Sequence, residues 1–263
     1  MAAAPAWAQA PRTPDVPEIG QISKDSVWVP TPERMIRRML QLADVTRDDV
    51  VVDLGSGDGR IPIHAAKHFG ARAIGVELEE NLIRLSERTA RAEGVAERAL
   101  FVKQDLFDFD LSVATVVALY ISPPVMQKLR PVFERLKPGT RIVSHHFTLG
   151  DWEPDEEVKV EGRHGYLWVV PAQVGGAWSV RSGNDLLRLT FRQDGKHLSM
   201  SGERAGRAVI VVAPKLRGTE ITFTAFDLDG TARHYRGRVE GGRMSGASDG
   251  HGIAPGAWTA VRD

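Results

Sequence analysis

The chain contains no cysteine. That excludes disulfides, Cys-bound metal and a thiol nucleophile, and it leaves the redox compartment open. Net charge is missing as well, because 34 Lys and Arg balance 34 Asp and Glu. The balance gives no electrostatic reason to expect nucleic acid as a stable partner, although a local basic patch is compatible with it. No apolar run is long enough to cross a bilayer as a helix, so no transmembrane segment is expected. At 263 residues the chain can bury a large core and hold two domains. Oligomeric state is not legible.

The first residues, Met1-Ala2-Ala3-Ala4-Pro5-Ala6-Trp7-Ala8-Gln9-Ala10-Pro11, look like the end of a secretory signal, with Ala8-Gln9-Ala10 as a cleavage triplet. A basic n-region and a full apolar h-region are absent from the given sequence. Two readings stand: a shortened precursor and a plain tail. Either way, Pro, Ala and polar content predict disorder over residues 1–24.

The most informative run is Val51-Val52-Asp53-Leu54-Gly55-Ser56-Gly57-Asp58-Gly59-Arg60. β-branched residues end in an acid, a glycine-rich turn follows, and Ile61-Pro62-Ile63-His64-Ala65-Ala66 starts a helix. That is the strand, loop and helix of a nucleotide-binding crossover. A dinucleotide fingerprint needs a glycine at the sixth place of the loop, where Arg60 stands. The Gly-Lys-Ser/Thr of a phosphate loop is missing too. An Asp at the strand end suits a ligand carrying ammonium or sulfonium charge better than a pyrophosphate. Asp53-x-Gly55-x-Gly57-x-Gly59 closely resembles motif I of class I S-adenosylmethionine (SAM) methyltransferases.

The following segments extend the pattern. Ala71–Glu77 reads as a second strand with Glu77 at its end, about 20 positions past the glycines, where an acid accepts hydrogen bonds from ribose hydroxyls. Residues 81–92 read as an amphipathic helix. Ala99–Leu106 is a third strand ending near Asp105; the alternative for Asp105 is a turn cap. Ala114–Tyr120 is the fourth strand and Thr140–His146 the fifth. Strands alternating with helices predict a parallel sheet with ligands at the C-terminal strand ends. Glu157–Val160 and Tyr166–Val170 form a closing hairpin. Before motif I, the Thr31 hydroxyl is placed to cap a helix over Met35–Leu42, with Pro32 in its first turn and Glu33 complementing its dipole.

From Trp28 to about Pro171 the chain resembles the small protein-lysine methyltransferases that modify the ATP synthase c subunit and the adenine nucleotide translocator, with their bacterial relatives. The carrying segments are Val29-Pro30-Thr31-Pro32, Asp53–Ile61, Gly75-Val76-Glu77-Leu78 and Leu136–His145. Trp28 departs from the Tyr or Phe usual there. Ser122-Pro123-Pro124 is similar to a motif of nucleic-acid amino-methyltransferases, but Val125 replaces its aromatic residue. The resemblance implies an α/β, Rossmann-like, seven-stranded class I sheet over residues 25–172, whose last strand inserts antiparallel. It implies a SAM shell of Thr31, Asp53, Gly55, Ser56, Gly57, Gly59, Glu77, Leu78, Asp105 and Leu106, with Asp105 at the adenine amino group. It also puts Tyr120, Ser122 and Pro123 where the fourth strand meets the methyl group.

A sulfonium methyl is already activated, so the enzyme chiefly aligns a nucleophile with it. No metal is expected. A lysine acceptor must first lose its proton, which desolvation favours. Tyr120 either shapes an acceptor channel or packs in the core. His145 or His146 is the candidate proton acceptor, and strand alternation points the two in opposite directions. As a metal site the pair lacks a carboxylate or third His at suitable spacing.

Beyond Pro171 short apolar-alternating segments are separated by Gly-containing turns such as Gln193-Asp194-Gly195 and Asp229-Gly230. About eight strands in meander order predict an antiparallel up-and-down barrel, lipocalin-like among the options, or a sandwich over residues 173–263. Trp178 and Trp258 are expected to pack together and close it. The favoured function is SAM-dependent methylation of a protein lysine, with a protein substrate as partner. The alternatives are a small-molecule or nucleobase nitrogen acceptor, and a non-catalytic SAM- or ligand-binding protein. SAM is made in the cytosol, so a cytoplasmic location is favoured, with export the reading if a signal lies upstream.

Overall fold

The structure is a computed structural model that describes residues 29–227, 229–250 and 253–263, without the side chains of residues 253 and 254. The tail over residues 1–24, the Ala8-Gln9-Ala10 triplet and Trp28 lie outside the described residues. The chain divides into two compact units. One comprises the residues up to Pro131 with Arg141–Trp168; the other comprises Val132–Thr140 with Val169–Asp263.

In the first unit the β-branched runs form five parallel strands: β1 (Val50–Leu54), β2 (Arg72–Glu77), β3 (Ala99–Lys103), β4 (Val116–Leu119) and β5 (Arg141–His145). The helices are α1 (Glu33–Leu42), α2 (Arg60–Phe69), α3 (Glu80–Ala92) and α4 (Pro123–Phe133), the last of which spans the division between the units. The hairpin β6 (Glu156–Val160) and β7 (Arg163–Val169) completes the sheet, in the order β3-β2-β1-β4-β5-β7-β6. β7 thus sits between β5 and β6, the antiparallel insertion expected for the class. The strand order reverses direction between β1 and β4, and such a switch point opens a crevice at the C-terminal strand ends. All four residues of β4 are buried, as befits a strand covered on both faces.

Below the crevice, at the other end of the strands, Asp49 is 6% exposed and accepts hydrogen bonds from the Thr46 amide, at 2.8 Å, and the Thr115 hydroxyl, at 2.7 Å. Arg141 pairs with the same carboxylate and donates to the Ala43 carbonyl at 2.8 Å. Burial alone would raise the Asp49 pKa; the Thr115, Thr46 and Arg141 contacts outweigh it and hold the carboxyl below its ordinary range.

Thr31 departs from its expected role. Pro32 occupies the cap position of α1, no side chain caps the helix, and the Thr31 hydroxyl instead meets His145 Nδ1 at 3.2 Å.

The second unit carries a closed eight-stranded barrel. Its strands are β8 (Gly176–Ser182), β9 (Asp185–Asp194), β10 (His197–Arg204), β11 (Arg207–Arg217), β12 (Glu220–Phe226), β13 (Ala232–Glu240), β14 (Arg243–Gly250) and β15 (Ile253–Arg262). Each pairs antiparallel with the next, and β15 pairs back to β8. Closure removes the exposed edges a sandwich would keep. Alternate residues such as Leu187, Leu189 and Phe191 face a filled interior.

Trp178 and Trp258 do not pack on each other. The Trp178 ring meets Phe191, at 6.4 Å between centroids, and the Arg262 guanidinium lies 4.9 Å over it. Trp258 packs on Phe223 and Tyr235 instead. Register explains this: Arg262, not Trp258, lies opposite Trp178 across the β15–β8 pair. A Cβ on Gly237 would lie 2.4 Å from the Trp258 ring, so this position needs glycine.

Candidate functional site

The glycine-rich loop between β1 and α2 is held from two sides. The amides of Gly55 and Ser56 donate to the Val76 carbonyl, at 2.9 and 3.0 Å. The Gly57 amide donates to Glu77 Oε2 at 2.9 Å, and Glu77 Oε1 accepts from the Leu78 and Glu79 amides, at 2.7 and 3.0 Å. Glu77 therefore orders the loop and the entry to α3 while Oε2, which accepts a single amide, keeps a lone pair for a ligand. Gly59 begins α2 with φ +77°, and a Cβ there would lie 2.6 Å from Phe101 and Ser86. Both the conformation and the space demand glycine.

Asp53 is the penultimate residue of β1, with 2% of its surface exposed. Burial, then the nearby charges of Glu77 and Asp58, push its carboxyl well above the ordinary carboxylate range. A bound cation would offset these effects by its charge. The Ser56 hydroxyl is buried without a hydrogen-bond partner, and Leu78, at the other strand end, is exposed. A positive-φ glycine loop, a buried acid destabilised by other acids and an orphaned hydroxyl fit the aminoacyl, sulfonium and ribose groups of SAM.

Further along, Asp105 Oδ1 accepts from the Phe107 amide at 2.9 Å. Asp105 thus makes the turn cap considered for it and retains Oδ2 for a ligand; Leu106 beside it is half-buried. The sequence reading overlooked the role of Arg60. Its guanidinium forks onto Asp58, at 2.6 and 2.9 Å, and donates to the Thr31 carbonyl at 3.1 Å. It straps the segment before α1 to the glycine loop. The only sequence signal was Arg60 in the place of a sixth loop glycine.

At the ends of β4 and β5 the side chains are aromatic. The Tyr120 and His145 rings meet at a tilt of 40° with centroids 4.0 Å apart, and Tyr120 stacks on Phe147 at 6.1 Å. Ser122 starts α4, its carbonyl accepting from the Val125 and Met126 amides at 3.1 Å, and Pro123 is the exposed first residue of that helix. His145 is fully buried, and its Nε2 has no hydrogen-bond partner. Burial, with Arg163 and His146 adding to it, lowers its pKa to about 4. A ring so hard to protonate is a weak base at neutral pH, and its contacts with Thr31 and Tyr120 suit holding those two side chains. His146 does not alternate with it. At φ +72° it leaves the strand and is exposed.

A strand-order switch point carrying this loop and acid pair defines a SAM-dependent methyltransferase. The family model for the ANTKMT methyltransferase domain matches residues 53–156. A protein-lysine N-methyltransferase of Saccharolobus islandicus is 48% identical over 136 residues, which cover 51% of this chain and 84% of that protein. The human lysine N-methyltransferase of the ATP synthase c subunit is 35% identical over 129 residues, 49% of this chain and 54% of that protein. The chain thus spans about half the length of that human relative. A crystal structure from Salinibacter ruber, described as an RNA methyltransferase in complex with S-adenosyl-L-homocysteine, is 50% identical with a TM-score of 0.54, covering 56% of this chain and 96% of that one. The chain belongs to this family of SAM-dependent methyltransferases.

Proposed function

We propose that the protein methylates a lysine amine of a protein substrate. The observation that carries this reading is the 48% identity to a protein-lysine N-methyltransferase over most of that relative's length. The chemistry of the site supports it. Asp53 and Glu77 are the residues to hold the cofactor's ammonium and ribose, with the glycine loop at its backbone. When bound, SAM supplies an electrophilic methyl group. The chain's own part is to align the acceptor and keep water out. Tyr120 and Phe147 offer an aromatic wall along which an acceptor side chain can lie, with the buried His145 behind Tyr120. A wall of low polarity lowers the pKa of an approaching lysine, so its proton leaves to solvent before transfer. His145 acts as a positioning residue: its ring backs Tyr120 and meets Thr31. The cytosol, where SAM is made, is the compartment we infer.

The second reading is a nucleobase nitrogen acceptor, favoured by the description of the Salinibacter ruber relative. Incubation with labelled SAM and cell lysate separates the two readings. Label in protease-sensitive, nuclease-resistant material supports lysine, and the opposite pattern overturns it. Tyr120→Ala should raise KM for the acceptor more than it changes SAM affinity.

A further inference from the structure

We propose that Glu33, His64 and His68 form a site for a divalent transition-metal ion of the zinc class, joining the start of α1 to α2. Each of the three offers a ligand atom, and these atoms lie within 4.8 Å of one another. His64 and His68 are one turn apart on α2, with ring centroids 4.2 Å apart. That spacing is how a helix presents two imidazoles to one zinc ion. Glu33 comes from the first turn of the other helix. In a tetrahedral zinc site with bonds of about 2.0–2.1 Å the ligand atoms stand roughly 3.4 Å apart. Glu33 and His68 are exposed, so the proposal requires their side chains to rotate to close the difference when the ion binds.

A second, independent observation points to a ligand. His64 is 6% exposed, and its Nε2 is buried without a hydrogen-bond partner. A buried polar atom left unpaired is costly, and a metal ion is one way to satisfy an imidazole nitrogen. The surrounding charges are mixed. Glu33 favours a cation here, whereas Arg37 and Lys67 act against one. Lys67 is neutralised by its pairing with Glu93. Two His and one carboxylate are a three-ligand set, which leaves a fourth position to water.

The site is separate from the glycine loop but adjoins it in the chain, since α1 follows Thr31 and Pro32 and α2 follows Gly59. An ion here would stiffen the junction that Arg60 already straps.

The test titrates the full chain, freed of metal with a chelator, with Co(II) and then Zn(II). Visible absorption, equilibrium dialysis and the thermal midpoint are followed. Wild type should bind a single equivalent, show visible Co(II) bands that Zn(II) displaces, and melt at higher temperature with metal. His68→Ala and Glu33→Ala change exposed positions, and circular dichroism checks that they fold. Each should lose about tenfold or more in affinity, whereas His197→Ala, a change in the barrel, should bind like wild type. Absence of binding by wild type, or undiminished binding by both variants, would overturn the proposal.

Discussion

Replacing Glu77 by Ala separates the two jobs the structure gives this carboxylate. In the protein alone it accepts from three backbone amides. The Leu78 and Glu79 amides belong to exposed residues and can turn to water, so each loss costs roughly 0.5 kcal/mol. Gly57 is buried, and its N–H would be stranded at about 1–2 kcal/mol. The sum is about 2–3 kcal/mol, which for a unit of this size lowers the thermal midpoint by roughly 5–10 °C. SAM binding loses the ribose contacts as well, about 1.5–3 kcal/mol for bonds to a charged acceptor, or tenfold and more in Kd. Glu77→Gln keeps one acceptor oxygen and should fall between. Differential scanning calorimetry measures the first effect and isothermal titration with SAM the second. A Glu77→Ala protein that melts and binds SAM like wild type would refute both the loop-ordering role and the ribose assignment.

Three further outcomes are expected. Because Asp53 holds a proton to unusually high pH, a bound cation should expel it. SAM affinity should then rise as pH rises through that raised pKa, and titrations in buffers of different ionisation enthalpy should show proton release; heats independent of buffer would detach Asp53 from the cofactor. The same shift means that Asp53 itself destabilises the cofactor-free fold as pH rises above its unfolded value. Asp49→Ala would leave Arg141 without its buried partner and should cost about 3–5 kcal/mol in urea unfolding. The lowered Asp49 pKa contributes stability present at neutral pH and lost as pH falls through the folded value, so the variant's stability should depend less on acid. Finally, we propose residues 25–172 as a SAM-binding domain in their own right. A chain ending at Ala172 should still bind SAM by calorimetry, and failure to fold would show that Val132–Thr140, which groups with the second unit, needs the barrel.

What could be read from the sequence, and what could not, follows from how far apart the interacting residues lie. The glycine loop was legible because its constraints are local: Gly55, Gly57 and Gly59 all take positive φ, and strand, loop and helix are consecutive. The eight barrel strands were legible for the same reason, since alternation and turn residues are short-range signals. Local logic misled where a side chain found a distant partner. The Thr31 hydroxyl was expected to cap α1, but His145, 114 residues away in sequence, takes it. Strand alternation was applied to His145 and His146, but the left-handed backbone at His146 ends β5 between them. The two tryptophans of the barrel were matched by their nearness to its ends, yet pairing register decides contact across a closure, and register is not written in either strand alone. His64 illustrates the same limit most sharply. In the sequence it is one residue of an apolar helical run. Its significance arises only when α1 delivers Glu33 from 31 residues upstream, and no period within α2 encodes that meeting.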